Sequence, residues 1–376
     1  MKLFQTGEII LNTYEVLELL NSGGMGNVYK AKHLKIPKVF AIKQLKLDQY
    51  KSLFIGSFIS EISILRSLKH PNISKFYDSF YFNDNFFYVM EFIEGEDIKT
   101  FFKNNPDLSE ERILKYFIMS LNAIDYLHSK SIIHRDIKPS NVLIDFKKDM
   151  VKIIDFGISN FLNRNIVFVS PGYSPPEQYH TFPPKPYNDI FSLGMTFLEA
   201  LSCQKPYEQK NTFDREIHKK YVETAVEKIK NKVSQSFLDI ILKCVESEPE
   251  KRFQQISEIM EKLRSEKFTI DNTYLIEFNN YLEYVEKVFQ KVEETFREKL
   301  GRNLIELEIE KSVDMMVIKI FDMNQLSIFL IFDLQEILVY VVPYLSKGFL
   351  AIKADMQKVG EDELVTELLK IAGYNS

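Results

Sequence analysis

Tryptophan is absent from this chain of 376 residues, and cysteine occurs only twice, as Cys203 and Cys244. So few cysteines in so long a chain exclude a disulfide-built scaffold and fit a reducing interior. Surplus positive charge is missing as well: 48 Lys and Arg stand against 53 Asp and Glu, and no basic aromatic strip occurs. No nucleic-acid partner is expected from that balance. A secretory leader is not visible, because residues 1–7 carry one Lys but no sustained apolar core and no small-residue cleavage site. Nor is there an uninterrupted apolar run long enough to span a membrane. The most apolar window, residues 326–345, contains Asp333, Gln335, Glu336 and Pro343, which points to strands and turns rather than a membrane span. A cytoplasmic protein with no membrane partner is the expectation.

What the chain does have is apolar mass: 45% hydrophobic residues and 31 Phe, enough for more than one core. Charge divides it further. Residues 265–376 hold 12 Lys and Arg against 20 Asp and Glu, a net of −8, which leaves +3 for residues 1–264. Two domains are expected, the C-terminal one acidic.

The densest motif is Ile133-His134-Arg135-Asp136-Ile137-Lys138-Pro139-Ser140-Asn141, followed by a strand-like run and then Asp155-Phe156-Gly157. By these residues the chain resembles the eukaryotic-like (bacterial Hanks-type) serine/threonine protein kinase family. The resemblance implies an α+β, bilobal protein-kinase fold with a small β-rich lobe over residues 1–91 and a large helical lobe over 97–264. It implies ATP and Mg2+ or Mn2+ as cofactors and proteins as substrates. Asp136 matches the catalytic base, and Lys138 matches the lysine that steadies the transferred phosphate in enzymes acting on Ser or Thr. Asn141 and Asp155 match the metal ligands, oxygen donors suited to a hard cation.

The rest of the resemblance lies upstream and downstream. Thr6-Gly7-Glu8-Ile9-Ile10 resembles the lead-in of bacterial members. In Asn21-Ser22-Gly23-Gly24-Met25-Gly26-Asn27-Val28, Gly23 and Gly26 match glycines of the nucleotide loop, where amides approach phosphate oxygens, and Val28 matches the residue covering the adenine. Asn21 stands where the first glycine is usual. Ala41 and Lys43 in Val39-Phe40-Ala41-Ile42-Lys43 match the strand whose lysine contacts the phosphates, and Glu61, in a helical stretch over 58–68, matches its glutamate partner. Met90 aligns with the gatekeeper, the backbone of Glu91 and Ile93 with the adenine-binding hinge, Leu143 with the floor of the nucleotide site, and Asp97 with a ribose contact. Glu177, Asp189 and Arg252 match residues that brace the large lobe.

One absence inside the motif region stands out. Residues 161–169 read FLNRNIVFV, with no Ser, Thr or Tyr, although Arg135 is the residue that binds an activation-segment phosphate in many relatives. Control by some other means, or constant activity, is expected. A pseudokinase scaffold that binds nucleotide and signals by interaction remains the alternative, motivated by Asn21 and this segment. Lys138-Pro139, Pro175-Pro176-Glu177 and Arg252 speak against a small-molecule kinase.

The resemblance ends near residue 264. Apolar residues then recur at helical spacing over 274–300, which predicts a connecting amphipathic helix across 265–300. Beyond Gly301, residues 304–310 alternate apolar and acidic, and 315–321, 326–332 and 337–342 read as further strands, with a closing helix at 362–371. Residues 301–376 are thus expected to form a C-terminal α+β domain with an antiparallel sheet. With no metal-spaced cluster and no second nucleotide loop, an interaction or regulatory role toward an unidentified protein or ligand is favoured over a second enzyme, and a homodimer stays open.

Overall fold

The computed structural model describes residues 3–23, 26–45, 62, 65–155, 169–180, 183–207, 213–301, 306–311, 315–321, 326–332, 336–343, 350–355, 366 and 368. Six antiparallel strands come first: β1 (Ile9–Ile10), β2 (Tyr14–Gly23), β3 (Gly26–His33), β4 (Val39–Leu45), β5 (Phe76–Phe82) and β6 (Asn85–Glu91), in the order β1-β2-β3-β4-β6-β5. Alternation sets their buried face: Tyr14 and Val16, Tyr29 and Ala31, Phe40 and Ile42, and Phe87 and Val89 form one aromatic-rich cluster. Asn83 and Asp84 adopt φ of 46° and 61°, the left-handed pair that a tight hairpin turn between β5 and β6 requires.

A three-stranded sheet, β7 (Gly95–Asp97), β8 (Val142–Asp145) and β9 (Met150–Ile153), lies where the helical region begins. Asp97 caps α1 (Ile98–Asn104), accepting from the amides of Lys99 and Thr100. Ser109 caps α2 (Glu110–Ser129), its hydroxyl accepting from the Arg112 amide. Then follow α3 (Pro186–Ser202), α4 (Arg215–Ile229), α5 (Gln235–Cys244) and α6 (Ile256–Ser265). From Asn188 to Ser202 every residue of α3 is buried, so it is the axis the other helices pack on. The ring of Phe117 on α2 meets Phe197 on α3 at 4.9 Å and Phe237 on α5 at 5.3 Å, both edge to face.

The 29-residue helix α7 (Thr273–Gly301) buries Phe278, Tyr281, Val285, Val288, Phe289, Val292 and Phe296, the stripe its spacing predicts. It lies against β10 (Glu306–Lys311), the first strand of a meander that continues through β11 (Met315–Phe321), β12 (Leu326–Phe332), β13 (Glu336–Pro343) and β14 (Leu350–Asp355). The α+β architecture is therefore as expected, with one difference: β14 pairs with β13 from Glu336↔Asp355 to Val341↔Leu350 and is a fifth strand that the pattern did not announce. Two alanines in six residues give it little β propensity of its own, and pairing supplies what propensity lacks. The expected closing helix at 362–371 lies outside the described residues except for Thr366 and Leu368, which are helical. Among the described residues no helix is long and apolar enough to cross a membrane.

Candidate active site

A cleft of about 410 Å³ is bounded by β2, β3 and β4 on one side and by β8 and the end of β9 on the other. Of the residues singled out from sequence, Val28, Ala41, Lys43, Glu91, Ile93, Asn141, Leu143 and Asp155 line it, as do Asn21, Met90 and Asp97. Glu61, Phe156 and Gly157 lie outside the described residues. Leu20, Ser74 and Ile154 line the cleft without having been singled out. Leu20 directly precedes Asn21, one step outside the glycine-rich motif, and Ser74 lies in a stretch that carries none of the motifs read above.

Gly23 and Gly26, which are not among the residues lining the cleft, pair across the β2–β3 hairpin. Only glycine fits at the second position: φ is +153°, and a Cβ there would stand 2.1 Å from the Gln44 carbonyl oxygen on β4. Gly26→Ala must therefore push β3 and β4 away from each other. It is expected to lose about 1–3 kcal/mol of stability in thermal denaturation, the range for overpacking. An unchanged midpoint would show that the hairpin relaxes freely.

Lys43 projects from β4, is 4% exposed, and forms an ion pair with Asp155. Asp155 has φ of 55°. Its place is set by β9, which is bridged in parallel from Ile153 to Ile73 and receives the Ser74 amide on the Ile153 carbonyl at 2.9 Å.

The loop before β8 carries a second constellation. Lys138 Nζ donates to both carboxylate oxygens of Asp136 at 2.9 Å, and the Ser170 hydroxyl donates to Oδ1. Asn141 Nδ2 donates to the Asp136 carbonyl at 2.8 Å and to its Oδ2 at 3.1 Å. The amide nitrogen of Asn141 is thereby committed, which leaves its Oδ1 as the atom able to serve a cation. Asp136 itself is 6% exposed, held among groups that keep one carboxylate edge oriented.

What holds the loop is Asp189, fully buried at the start of α3. Its carboxylate accepts from the amides of His134 and Arg135, each at 2.8 Å, and meets His128 Nε2 at 2.9 Å. Burial alone would raise this acid. The hydrogen bond and charge of His128, with the amide of Arg135, outweigh it and hold Asp189 below the usual carboxylate range. Glu177 is tied to Arg252 at 2.8 Å, and the same guanidinium reaches the carbonyls of Tyr187 and Glu246. The three bracing residues thus act between segments far apart in sequence.

One ion pair was invisible from sequence. Lys152 on β9 is 2% exposed and its ammonium lies 2.8 Å from the Glu91 carboxylate, which also accepts from the Lys75 amide at 3.2 Å. Burial would raise Glu91, but the Lys152 and Lys75 charges overcome it and hold the acid below its usual range. The strand leading to Asp155 and the edge of the cleft at Glu91 are therefore joined by a charge pair inside the protein.

A family model described as a protein kinase domain matches residues 14–265. Among curated proteins, the serine/threonine-protein kinase PrkC of Bacillus subtilis (strain 168) is 32% identical over 281 residues, covering 70% of this chain and 43% of that protein. The probable serine/threonine-protein kinase PknB of Lactococcus lactis subsp. lactis (strain IL1403) is 29% identical over 269 residues, covering 69% and 42%. The chain thus spans less than half the length of these curated relatives. Among solved structures, the PknI kinase domain of Mycobacterium tuberculosis superposes with a TM-score of 0.54 at 19% identity, covering 71% of this chain and all of that one, a likeness of fold.

Proposed function

The chain belongs to the protein kinase domain family, and from that premise we propose that it is an active kinase transferring the γ-phosphate of ATP to Ser or Thr hydroxyls of proteins. The observation that carries this reading is the Asp136 constellation: a carboxylate oriented by Lys138, Ser170 and Asn141, next to a cleft whose wall presents Asn141 and Asp155. In this role Asp136 accepts or orients the proton of the attacking hydroxyl, and Lys138 offsets negative charge on the group in transit. Lys43 holds phosphate oxygens, with Gly23 and Gly26 keeping side chains out of their way. Ala41, Val28 and Leu143 give the apolar walls that a flat base needs, and the backbone of Glu91 and Ile93 reads its polar edge.

The donor set also fits a divalent cation, Mg2+ or Mn2+. Asn141 Oδ1 and the Asp155 carboxylate are hard oxygen donors on the same cleft. These two side chains would hold such an ion, which would offset negative charge on the phosphates. Lys43 forms an ion pair with that same Asp155 carboxylate. A scaffold without catalysis draws no support from these residues, since Lys43, Asp136, Asn141 and Asp155 are all retained.

The test is transfer of label from γ-labelled ATP to the protein itself and to generic protein acceptors, followed by phosphoamino-acid analysis. Label on Ser and Thr is expected, abolished by a chelator and restored by Mg2+. ATP binding with no transfer under any divalent ion would overturn catalysis in favour of the scaffold.

A further inference from the structure

The C-terminal helix does not hang free of the catalytic region. Near its start, Asn272 Oδ1 and the Tyr274 hydroxyl both accept from Asn122 Nδ2 on α2, at 2.9 and 2.8 Å. Further along, the Tyr281 ring, 7% exposed, receives the Lys75 ammonium at 6.0 Å from its centroid, and Glu286 forms an ion pair with Lys69. From Tyr274 to Glu286 a helix advances about 18 Å, so these contacts lie along one rigid rod.

The segment from Lys69 to Lys75 is a junction in its own right. Its Lys69 amide donates to the Tyr126 hydroxyl at 2.9 Å, and the His70 ring packs on Tyr126 at 5.1 Å. Tyr126 lies one helical turn from Asn122, so α2 anchors the segment and α7 side by side. The other side of the segment is fastened to the strand that carries Asp155. Asn72 Nδ2 donates to the Val151 carbonyl at 2.9 Å, the Ile153 amide donates to Asn72 at 2.8 Å, and the Lys75 amide donates to Glu91. Every step from α7 to Asp155 and Glu91 is thus a direct contact or a backbone hydrogen bond.

We infer that α7 is a strap across the junction between the six-stranded sheet and the helical region, and that its seating keeps the nucleotide site assembled. With the strap seated, Lys43 and Asp155 are paired and β9 is in register with the 69–75 segment. The charges agree: the acidic C-terminal region places Glu286 and an aromatic face against two lysines of the more basic N-terminal region. A kinase with no Ser, Thr or Tyr across residues 161–169 then has its control in cis, through whatever seats or lifts this helix. The inference rests on the kinase reading for its meaning, but not for its test.

That test uses the full chain and reads binding and transfer separately. A Tyr274→Ala, Tyr281→Ala, Glu286→Lys triple variant loosens the strap at residues remote from the cleft. A fluorescent ATP analogue with Mg2+ is titrated, hydrogen exchange is followed over 69–75, 150–155 and 273–286, and KM for ATP is compared with kcat. The expected result is about a 5–20-fold weaker affinity for the analogue, within the usual range of coupling between sites, with KM moving more than kcat. Faster exchange is expected in all three segments. Because the Lys69–Glu286 pair is partly exposed and each partner alone contributes little, its direction is tested by reversal. Lys69→Glu weakens binding, and Lys69→Glu with Glu286→Lys restores it. Exchange that rises over 273–286 while nucleotide affinity and KM stay at wild-type values overturns the strap, and so does a reversal pair that fails to restore. Wild-type protein that binds the analogue without transferring phosphate defeats the kinase reading alone, because the affinity comparison still judges the strap.

Discussion

Asp136→Asn is expected to lower phosphoryl transfer about 10²–10⁴-fold, the range for removing a positioned general base, while nucleotide affinity stays within a few-fold of wild type. The split follows from geometry. Asp136 reaches Lys138, Ser170 and Asn141, whereas the walls of the cleft are made by other residues, Lys43, Asn141 and Asp155 among them. An amide is nearly the same shape as the carboxylate and keeps an oxygen for Lys138. It has no negative charge with which to take or orient a proton. The backbone is secure as well, because the loop is held by Asp189 through the amides of His134 and Arg135, which the substitution leaves alone. Label transfer and analogue binding, measured on the same preparations, check both halves. Transfer within tenfold of wild type would remove Asp136 from the base role, and a collapse of binding would show that it acts on the nucleotide site as a whole.

The residues of that site were legible because they stand close together or at strand ends. Asp136, Lys138 and Asn141 share one loop, and Asp155 follows the next hairpin, so the chain writes their proximity in order. Lys43 and Asp155, 112 positions apart, are joined only by the fold. The resemblance brought both to the nucleotide site, but it gave Glu61 and not Asp155 as the partner of Lys43. Leu20 and Ser74 carried no chemical signal at all, since an apolar strand residue and a loop serine read as packing and turn.

Long-range partnerships between ordinary residues were illegible. Asn122 on a long helix and Asn272 before another are 150 positions apart, and neither is unusual in composition or pattern. The connecting helix was plain from its periodicity, which runs from Phe278 to Phe296, but periodicity reports that a face is covered and not by what. β14 failed for a related reason. Leu350, Ala351, Ile352, Lys353, Ala354 and Asp355 alternate only weakly, and their pairing with β13 is decided by a neighbour already in place.

Lys152 is the sharpest of these cases, and it leads to the second large effect. In Val151-Lys152-Ile153 a lysine between two apolar residues reads as the solvent side of a strand, yet it is 2% exposed and faces Glu91. Removing one partner leaves a charge with no counterion in the interior. Glu91→Gln is therefore expected to destabilise the protein by about 3–5 kcal/mol, a fall in melting temperature of about 6–20 °C at the slope usual for a domain of this size. Lys152→Met is expected to cost less, because Glu91 is 13% exposed at its side chain and keeps the Lys75 amide. Combined, the two substitutions remove both charges while the glutamine still accepts from Lys75, so the double variant is expected to melt well above Glu91→Gln alone. Thermal denaturation of all four proteins closes the cycle. Additive losses would mean that the pair is incidental to stability. A double variant that recovers stability but binds nucleotide more weakly would show what the charges do beyond packing: they fix the edge of the cleft at Glu91 to the strand that delivers Asp155.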